Sequence, residues 1–327
     1  MKTYLSGLQP SGRQHLGNYF GAIRQHIELS RTAGEHFFFI ADFHALTTSR
    51  DAEKLRDQVR EMLVTYLALG LDPERVTLFR QSDVPEVTEL AWMLATVTGM
   101  GLLERAHSYK DKVAHGIKPN AGLFTYPVLM AADILAYDST HVPVGKDQIQ
   151  HVEMAQDMCG SFNAAYGDVL VRPEALIPDN ELMAKVPGLD GEKMSKSYGN
   201  ELWIFESGKK LKKACGRIVT DSRPPEEPKD PSELLPLKLL ALFVDAQELG
   251  EWNERVRKGG PDAPGYGHMK VRLAEVIEET FAGARARREE LLADPGELDR
   301  ILARGVVPAR ERARATVDRC YRACGIR

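Results

Sequence analysis

Two short segments of the chain combine residue types that bind phosphate groups. Residues 9–18 read QPSGRQHLGN, in which the glycines allow close approach of the backbone while His15 and Asn18 offer side-chain donors. Residues 192–200 read EKMSKSYGN, which places two lysines among serine hydroxyls. Such a set suits a polyphosphate whose negative charge grows during a reaction. Taken singly, the first segment is equally typical of a glycine-rich turn, and the second of a solvated loop.

An alternation of predicted strands and helices positions these segments. The apolar runs predict strands at residues 3–7, 36–42, 76–82 and 140–145. Amphipathic helices are predicted to begin near Gly17 and to cover 51–70 and 148–165. This alternation is typical of a parallel sheet, in which ligands bind beyond the carboxyl ends of the strands. The residues after the first strand therefore lie where a ligand is expected.

Length and composition predict two domains and exclude intrinsic disorder, because 43 % of the 327 residues are hydrophobic. A proline-rich stretch at 223–233 precedes segments with helical patterns. We predict an α/β fold, with a Rossmann-like doubly wound parallel sheet at 1–204 and a C-terminal all-helical domain at 205–327. The last helix is a candidate to pack back on the first domain.

Charge, cysteine content and hydropathy narrow the class of protein further. The formal net charge of −4 argues against a general polyanion binder, although it leaves room for a local basic patch. The four cysteines lack metal-site spacing and are expected to be reduced thiols. No apolar run reaches the ~20 residues of a membrane span, which predicts a cytoplasmic protein with no membrane partner.

The two phosphate-binding segments together resemble the signature pair of the class I aminoacyl-tRNA synthetases, with HLGN at 15–18 and KMSKS at 193–197. The blocks ADFHALT at 41–47, YPVLMAADIL at 126–135 and VPVGKDQ at 142–148 resemble the bacterial tryptophanyl-tRNA synthetases. TDS at 220–222 and GYGHMK at 265–270 extend the similarity over nearly the whole chain. Tyrosyl-tRNA synthetases share the architecture but not the MAADIL block.

The resemblance implies a tryptophan pocket around Asp133. A carboxylate on an otherwise apolar helix either pairs internally or awaits a donor from a ligand, and its residue type leaves both readings open. Indole carries one polar group, an N–H donor, on a large apolar body. By resemblance, Asp133 accepts that N–H, with Met130 and His44 beside it, while Tyr126 and Gln148 hold the ammonium and carboxylate groups.

The resemblance also implies an ATP site and a group of catalytic residues. The implied nucleotide contacts are Gln9, Pro10, Ser11, His15, Gly17, Asn18, Gly145, Lys146, Asp147, Val186, Lys193, Met194, Ser195, Lys196 and Ser197. The implied catalytic residues, which stabilise the departing pyrophosphate, are Lys193, Ser195, Lys196 and Lys112. Mg²⁺ is expected to be held mainly by the phosphates of ATP, with no metal site in the chain. Members of the family commonly carry Glu in place of Lys146 and often Phe in place of Leu5.

The implied reaction activates L-tryptophan with ATP to tryptophanyl-adenylate and transfers it to the 3′ end of tRNA(Trp), releasing AMP and pyrophosphate. The resemblance further implies a homodimer and an anticodon-binding role for the helical domain. Candidate phosphate contacts there are Lys209, Lys210, Lys212, Lys213, Arg310, Arg312, Arg314, Arg319 and Arg322. A tyrosyl-tRNA synthetase-like enzyme and a non-catalytic paralogue that binds tryptophan or RNA remain as alternatives. No motif surrounds Trp92, Trp203 or Trp252, which predicts that they are packing residues.

Overall fold

The structure is a computed structural model that describes residues 1–106, 120–145, 148–177 and 186–327. Three residues with implied roles at the nucleotide, Lys112, Lys146 and Asp147, lie outside the described residues. Within the described ranges, no helix is both long enough and apolar enough to cross a membrane.

A parallel sheet forms the centre of the fold. In the described part of the chain its strands are β1 (Thr3–Leu8), β2 (Glu35–Ile40), β3 (Thr77–Arg80), β4 (His141–Pro143) and β5 (Glu174–Leu176). The strand order is β3-β2-β1-β4-β5, and every neighbouring pair is parallel. The winding therefore reverses between β1 and β4, as in Rossmann-like sheets. This confirms the predicted fold class, although the three-residue β5 is too short to have produced a recognisable pattern.

The helices follow the strands in the predicted alternation. In chain order the described α-helices are α1 (Leu16–Asn18), α2 (Arg24–Leu29), α3 (Asp42–Ala45), α4 (Ala52–Ala68), α5 (Glu86–Val97), α6 (Met100–Glu104), α7 (Ala121–Leu135), α8 (Ile149–Tyr166), α9 (Gly208–Gly216), α10 (Leu235–Leu240), α11 (Ala246–Lys258), α12 (Tyr266–Thr280), α13 (Ala282–Ala293) and α14 (Pro295–Ala323). A π-helical stretch, Tyr19–Ile23, joins α1 to α2. The helices predicted at 51–70 and 148–165 are confirmed as α4 and α8.

Local chemistry explains why these elements form where they do. Asp51 begins α4 because its carboxylate accepts the backbone N–H of Lys54 at 3.0 Å, which satisfies a donor that the first helical turn leaves unpaired. The aromatic run of β2 is buried along its length, from Phe37 to Ile40. A strand covered on both faces carries such a continuous apolar run, so the pattern at 36–42 predicted β2 correctly.

By the density of their internal contacts, the residues divide into two compact units. The first unit comprises Met1–Gly12, His26–Asp179 and Leu291–Arg327, and it contains the parallel sheet. The second unit comprises Arg13–Gln25 and Asn180–Glu290. Each unit is therefore built from separate stretches of the chain. The division at residue 204 into a catalytic and an anticodon-binding domain stays a prediction.

The C-terminal helix α14 packs against β3 and α5 within the first unit. Gly305 lies so close to β3 that a Cβ atom there would fall 1.9 Å from the carbonyl oxygen of Leu78. Ion pairs also hold the helix, and they are Arg310–Glu86, Arg314–Glu86, Arg312–Glu35 and Arg319–Asp138. Four of the five C-terminal arginines named as candidate phosphate contacts therefore stabilise the docking of α14 on the first unit.

The tryptophans differ in their surroundings. Trp203 and Trp252 are half-buried, whereas Trp92 on α5 is 73 % exposed. The prediction that Trp92 is a packing residue is therefore wrong for the chain as described, because its side chain lies on the outer side of α5.

Candidate active site

A buried carboxylate lies near the carboxyl edge of the sheet in the first unit. Asp133 on α7 is 1 % exposed, and its Oδ2 accepts a hydrogen bond from Nε2 of His44 at 2.8 Å. Nε2 of Gln81 donates to both carboxylate oxygens, also at 2.8 Å. His44 and Gln81 follow the carboxyl ends of β2 and β3, where parallel sheets bind ligands. Among the described residues, no arginine or lysine pairs with Asp133.

The environment of Asp133 makes it a hydrogen-bond acceptor with spare capacity. Burial raises the pKa of this carboxyl above the ordinary value for an aspartate, and the hydrogen bonds from His44 and Gln81 oppose that rise. An ionised carboxylate only accepts, so both neighbours act as donors, and it offers about four acceptor positions. Oδ1 has a single described donor, which leaves room for one more N–H group.

The residues expected to surround the indole ring lie on the same helix face as Asp133 or are linked to it through His44. Tyr126, Met130 and Asp133 are spaced at intervals of four and three residues on α7, which places them on one face of the helix. The rings of Tyr126 and His44 meet edge to face, with centroids 6.2 Å apart. The Tyr126 hydroxyl hydrogen bonds to Nε2 of His151 at 2.8 Å, and burial raises the pKa of Tyr126 to about 12. Tyr126 is therefore a neutral hydroxyl at physiological pH.

The other predicted site residues of the first unit that the structure describes lie near the switch point of the sheet. Gln9, Pro10 and Ser11 follow β1, and Gly145 follows β4, which is the neighbour of β1 in the sheet. Gln148 immediately precedes α8, and its backbone N–H donates to the carbonyl of Gly145 at 2.9 Å. Ligands of doubly wound sheets bind in the crevice at this point, which suits the roles implied for these residues.

In the second unit, the HLGN segment forms a helix start whose polar side chains bond to each other. His15 Nδ1 accepts the N–H of Asn18 at 3.3 Å, and Asn18 Oδ1 accepts the N–H of His15 at 3.1 Å. The N–H of Gly17 points to Sδ of Met194 at 3.4 Å. A Cβ atom on Gly17 would lie 3.0 Å from the His15 ring and 3.3 Å from Cβ of Met194. The structure therefore brings HLGN into contact with KMSKS through a position that favours glycine.

The buried Asn200 organises the KMSKS loop. Ser195 N–H donates to Oδ1 of Asn200 at 2.8 Å, and Nδ2 of Asn200 donates to the carboxylate of Asp190 at 2.7 Å. Met194 is buried, and its N–H donates to the carbonyl of Val186 at 3.0 Å. The loop residues that this arrangement leaves exposed include Lys193, Lys196 and Ser197.

The lysines of this loop help to set the protonation state of His15. Burial, followed by the charges of Lys196 and Lys193, lowers the pKa of His15 to about 4. The ring is therefore neutral at pH 7. Because Nδ1 accepts from Asn18, the proton lies on Nε2, which becomes a donor suited to a phosphoryl oxygen.

Three residues of these sites were not predicted from the sequence. Gln81 touches Asp133 directly. It lies near the end of the strand predicted at 76–82, and in the structure it follows the last residue of β3, so this position at a strand end was the available signal. Asn200 ends the KMSKS segment, and a Cβ atom on Gly188 would lie 2.3 Å from its Nδ2. Trp203 lies beneath Arg13, whose Cζ is 4.6 Å from the ring centroid. No spacing pattern in the sequence predicts the contacts of Asn200 or Trp203.

The donor set favours anions over metal ions. In the part of the chain that the structure describes, no cluster of three or more His, Cys, Asp or Glu side chains could hold a metal ion. The KMSKS loop instead presents ammonium and hydroxyl groups, which bind phosphate oxygens.

The comparisons with known proteins cover the residues of both sites. The family model of class I tRNA synthetases (W and Y) matches residues 1–283. A tryptophan–tRNA ligase of Rhodopirellula baltica is 55 % identical over 323 residues, which is 99 % of each chain. The crystal structure of tryptophanyl-tRNA synthetase from Campylobacter jejuni, complexed with ADP and tryptophan, has a TM-score of 0.92 at 48 % identity and covers 99 % of each chain. The enzyme from Mycoplasma pneumoniae has a TM-score of 0.80 at 29 % identity, over 99 % of this chain and 98 % of that one.

Proposed function

The chain belongs to the tryptophanyl-tRNA synthetase family of the class I aminoacyl-tRNA synthetases, and on that premise we propose how its residues perform the reaction. The activity is tryptophan–tRNA ligation, in which L-tryptophan and ATP give tryptophanyl-adenylate and pyrophosphate. The tryptophanyl group then passes to the 3′ end of tRNA(Trp), and AMP is released. The carboxylate of tryptophan is already ionised when it attacks the α-phosphate, so no general base is needed. Catalysis therefore depends on positioning and on charge stabilisation.

Asp133 supplies the selection for tryptophan. The spare acceptor position on its Oδ1 takes the indole N–H, the single polar group of the side chain. Met130, Tyr126 and His44 form the wall around the ring. An analogue without the N–H leaves the buried carboxylate of this pocket unpaired, and sites of this kind discriminate by ~10⁴–10⁵. Gln148 and the Tyr126 hydroxyl hold the ammonium and carboxylate groups of the amino acid.

The proposed nucleotide contacts fall into two groups. Gln9, Pro10, Ser11 and Gly145 lie at the switch point of the sheet and contact the adenosine part of ATP. His15 donates to the phosphates through Nε2, and Asn18 and Gly17 shape the start of α1. Lys193, Ser195 and Lys196 stabilise the departing pyrophosphate, because their interactions strengthen as negative charge accumulates. Mg²⁺ enters as part of the MgATP substrate.

The observation that carries this proposal is the buried carboxyl group of Asp133, which is hydrogen-bonded to His44 and Gln81 and lies near the half-buried rings of His44 and Tyr126. The test is aminoacylation of a tRNA(Trp) transcript with labelled tryptophan, and with labelled tyrosine in parallel. Tryptophan should be esterified and tyrosine should not. Charging with tyrosine would support the tyrosyl-like alternative, and a failure to charge either amino acid would support a non-catalytic paralogue.

A lysine face on α9 is the surface that we assign to the tRNA backbone. Leu211, Ala214 and Cys215 bury the opposite side of this helix. The exposed basic residues of α9 are Lys209, Lys210, Lys212 and Lys213, and within the described residues none of them pairs with a carboxylate. Their charge stands out because the chain as a whole carries −4. Unpaired cations on one helix face complement phosphates, unlike the ion-paired arginines of α14.

Charge reversal on the lysine face should separate the two steps of the reaction. The variant Lys209→Glu/Lys213→Glu should raise KM for tRNA about tenfold or more, because each phosphate contact is lost and replaced by repulsion. Tryptophan-dependent pyrophosphate–ATP exchange, which needs no tRNA, should stay at the wild-type rate. The matched control is Arg257→Glu/Lys258→Glu on α11. An unchanged KM for tRNA in the first variant, or an equal rise in both, would contradict the assignment.

The exposed Trp92 supports a homodimer. An exposed tryptophan presents a large apolar surface to solvent, and tryptophan is enriched at protein interfaces. The variant Trp92→Glu should therefore convert a dimer into a 36.4-kDa monomer, as measured by light scattering after gel filtration. Val271→Glu, which changes another exposed apolar residue, should leave the dimer intact. A Trp92→Glu protein that still elutes as a dimer would remove Trp92 from the interface.

A further inference from the structure

Gln81 holds the Asp133 carboxylate from the end of β3. Its Nε2 lies 2.8 Å from both carboxylate oxygens, and the residue is 1 % exposed. Its Oε1 accepts the backbone N–H of Phe43 at 3.0 Å and that of His44 at 3.4 Å. We infer that Gln81 is a positioning residue that determines specificity for the indole N–H. This inference rests on the proposed role of Asp133.

The two backbone donors fix which way the amide points. An oxygen must face the N–H groups of Phe43 and His44, so the NH₂ group must face Asp133. The same backbone carries the imidazole that donates to Oδ2 of Asp133. Gln81 therefore fixes the Asp133 carboxylate relative to the residues that follow β2 and β3. The acceptor position that remains on Oδ1 is the one available to the ligand. A second hydrogen bond, from the N–H of Ser82 to the carboxylate of Asp42 at 3.0 Å, also joins the segments that follow β3 and β2.

Gln81 also bears on the ionisation of Asp133. Burial and the nearby charge of Asp42 raise the pKa of Asp133, while His44 and Gln81 lower it by donating to the ionised form. Among the described residues, Tyr137 also interacts with this carboxyl, and because burial raises the pKa of Tyr137 it stays neutral. Removal of the Gln81 amide should therefore shift the protonation of Asp133 to higher pH. A protonated carboxyl is a weaker acceptor for the indole N–H than a carboxylate.

The experiment compares tryptophan with β-(3-benzothienyl)alanine, in which sulfur replaces the indole N–H. The ratio of kcat/KM for the two amino acids in pyrophosphate–ATP exchange measures recognition of the N–H alone. Gln81→Met keeps the length of the side chain and removes the donor. We expect this ratio to fall about 10- to 100-fold, the loss expected when a hydrogen bond to a charged group is removed. The acid limb of the pH profile should move to higher pH for tryptophan and stay in place for the analogue.

Gln81→Glu provides a second variant with a different pH dependence. The introduced carboxyl can donate to Asp133 when it is protonated, as the amide does, whereas in its ionised form it repels Asp133. The preference for tryptophan should therefore be present at low pH and be lost as the pH rises. Gln156→Met is the matched control, because Gln156 is a half-buried glutamine of the first unit that bonds to the carbonyl of Pro173. It should keep the wild-type ratio.

The outcomes separate this inference from the proposed role of Asp133. If the wild-type protein itself shows no preference for tryptophan over the analogue, the indole contact fails and the inference fails with it. If the wild-type protein shows the preference and Gln81→Met keeps it with an unshifted acid limb, only the role of Gln81 is overturned. An equal loss of activity towards both amino acids in Gln81→Met and a pH-independent ratio in Gln81→Glu would also overturn it, because both results indicate a purely structural role.

Discussion

Asp133→Asn should lower kcat/KM for tryptophan by about 10³ or more while ATP binding is unchanged, because the substitution places an NH₂ group among donors. His44 and Gln81 both donate towards this position, so an amide there leaves buried donors facing each other. The measurement is pyrophosphate–ATP exchange as a function of tryptophan concentration, with ATP affinity measured separately by calorimetry.

The control for this variant is Asp157→Asn, which changes an exposed aspartate on α8 of the same unit. It should keep wild-type kinetics. A KM for tryptophan that barely moves in Asp133→Asn, in a protein that still exchanges at the wild-type rate, would contradict the pocket assignment.

Lys196→Ala should lower kcat for adenylate formation by about 10²–10³ and change KM for ATP much less. The physical reason is that the exposed ammonium of Lys196 stabilises charge that develops on the pyrophosphate, which is small in the ground state and large in the transition state. Single-turnover measurement of adenylate formation gives the rate of this step without interference from product release.

Lys209→Ala is a suitable control for Lys196→Ala, because it removes an exposed lysine of the same unit that adenylate formation does not use. It should leave both constants unchanged. The opposite pattern in Lys196→Ala, a large rise in KM for ATP at constant kcat, would indicate a ground-state contact and contradict the transition-state role.

Much of the fold could be predicted from patterns that act over short distances. The apolar run of β2 and the amphipathic pattern of α4 are local features, and both elements lie in the structure where they were expected. The packing of α14 on β3 could only be suggested, because it depends on Gly305 meeting the backbone of Leu78 far away in the sequence. The same holds for the ion pairs that occupy the arginines of α14.

The site residues likewise divide into those marked by short sequence motifs and those that depend on contacts between distant parts of the sequence. The glycine and lysine motifs of HLGN and KMSKS are visible in the sequence, because each is a short run of unusual composition. The role of Gln81 could not be predicted from the sequence, because its partner Asp133 lies far along the chain. A single glutamine at the end of a strand also has no distinguishing spacing. Its role became visible only through the two carboxylate contacts and the two backbone contacts of one buried amide.

Amino-acid dependence of pyrophosphate–ATP exchange is the most direct test of whether this chain activates tryptophan. The assay is run with saturating ATP and with tryptophan, with tyrosine, or with no amino acid. We expect rapid exchange with tryptophan and only background with the other two mixtures. Equal exchange with tyrosine, or no exchange above background with tryptophan, would contradict the claim that this chain selectively activates tryptophan.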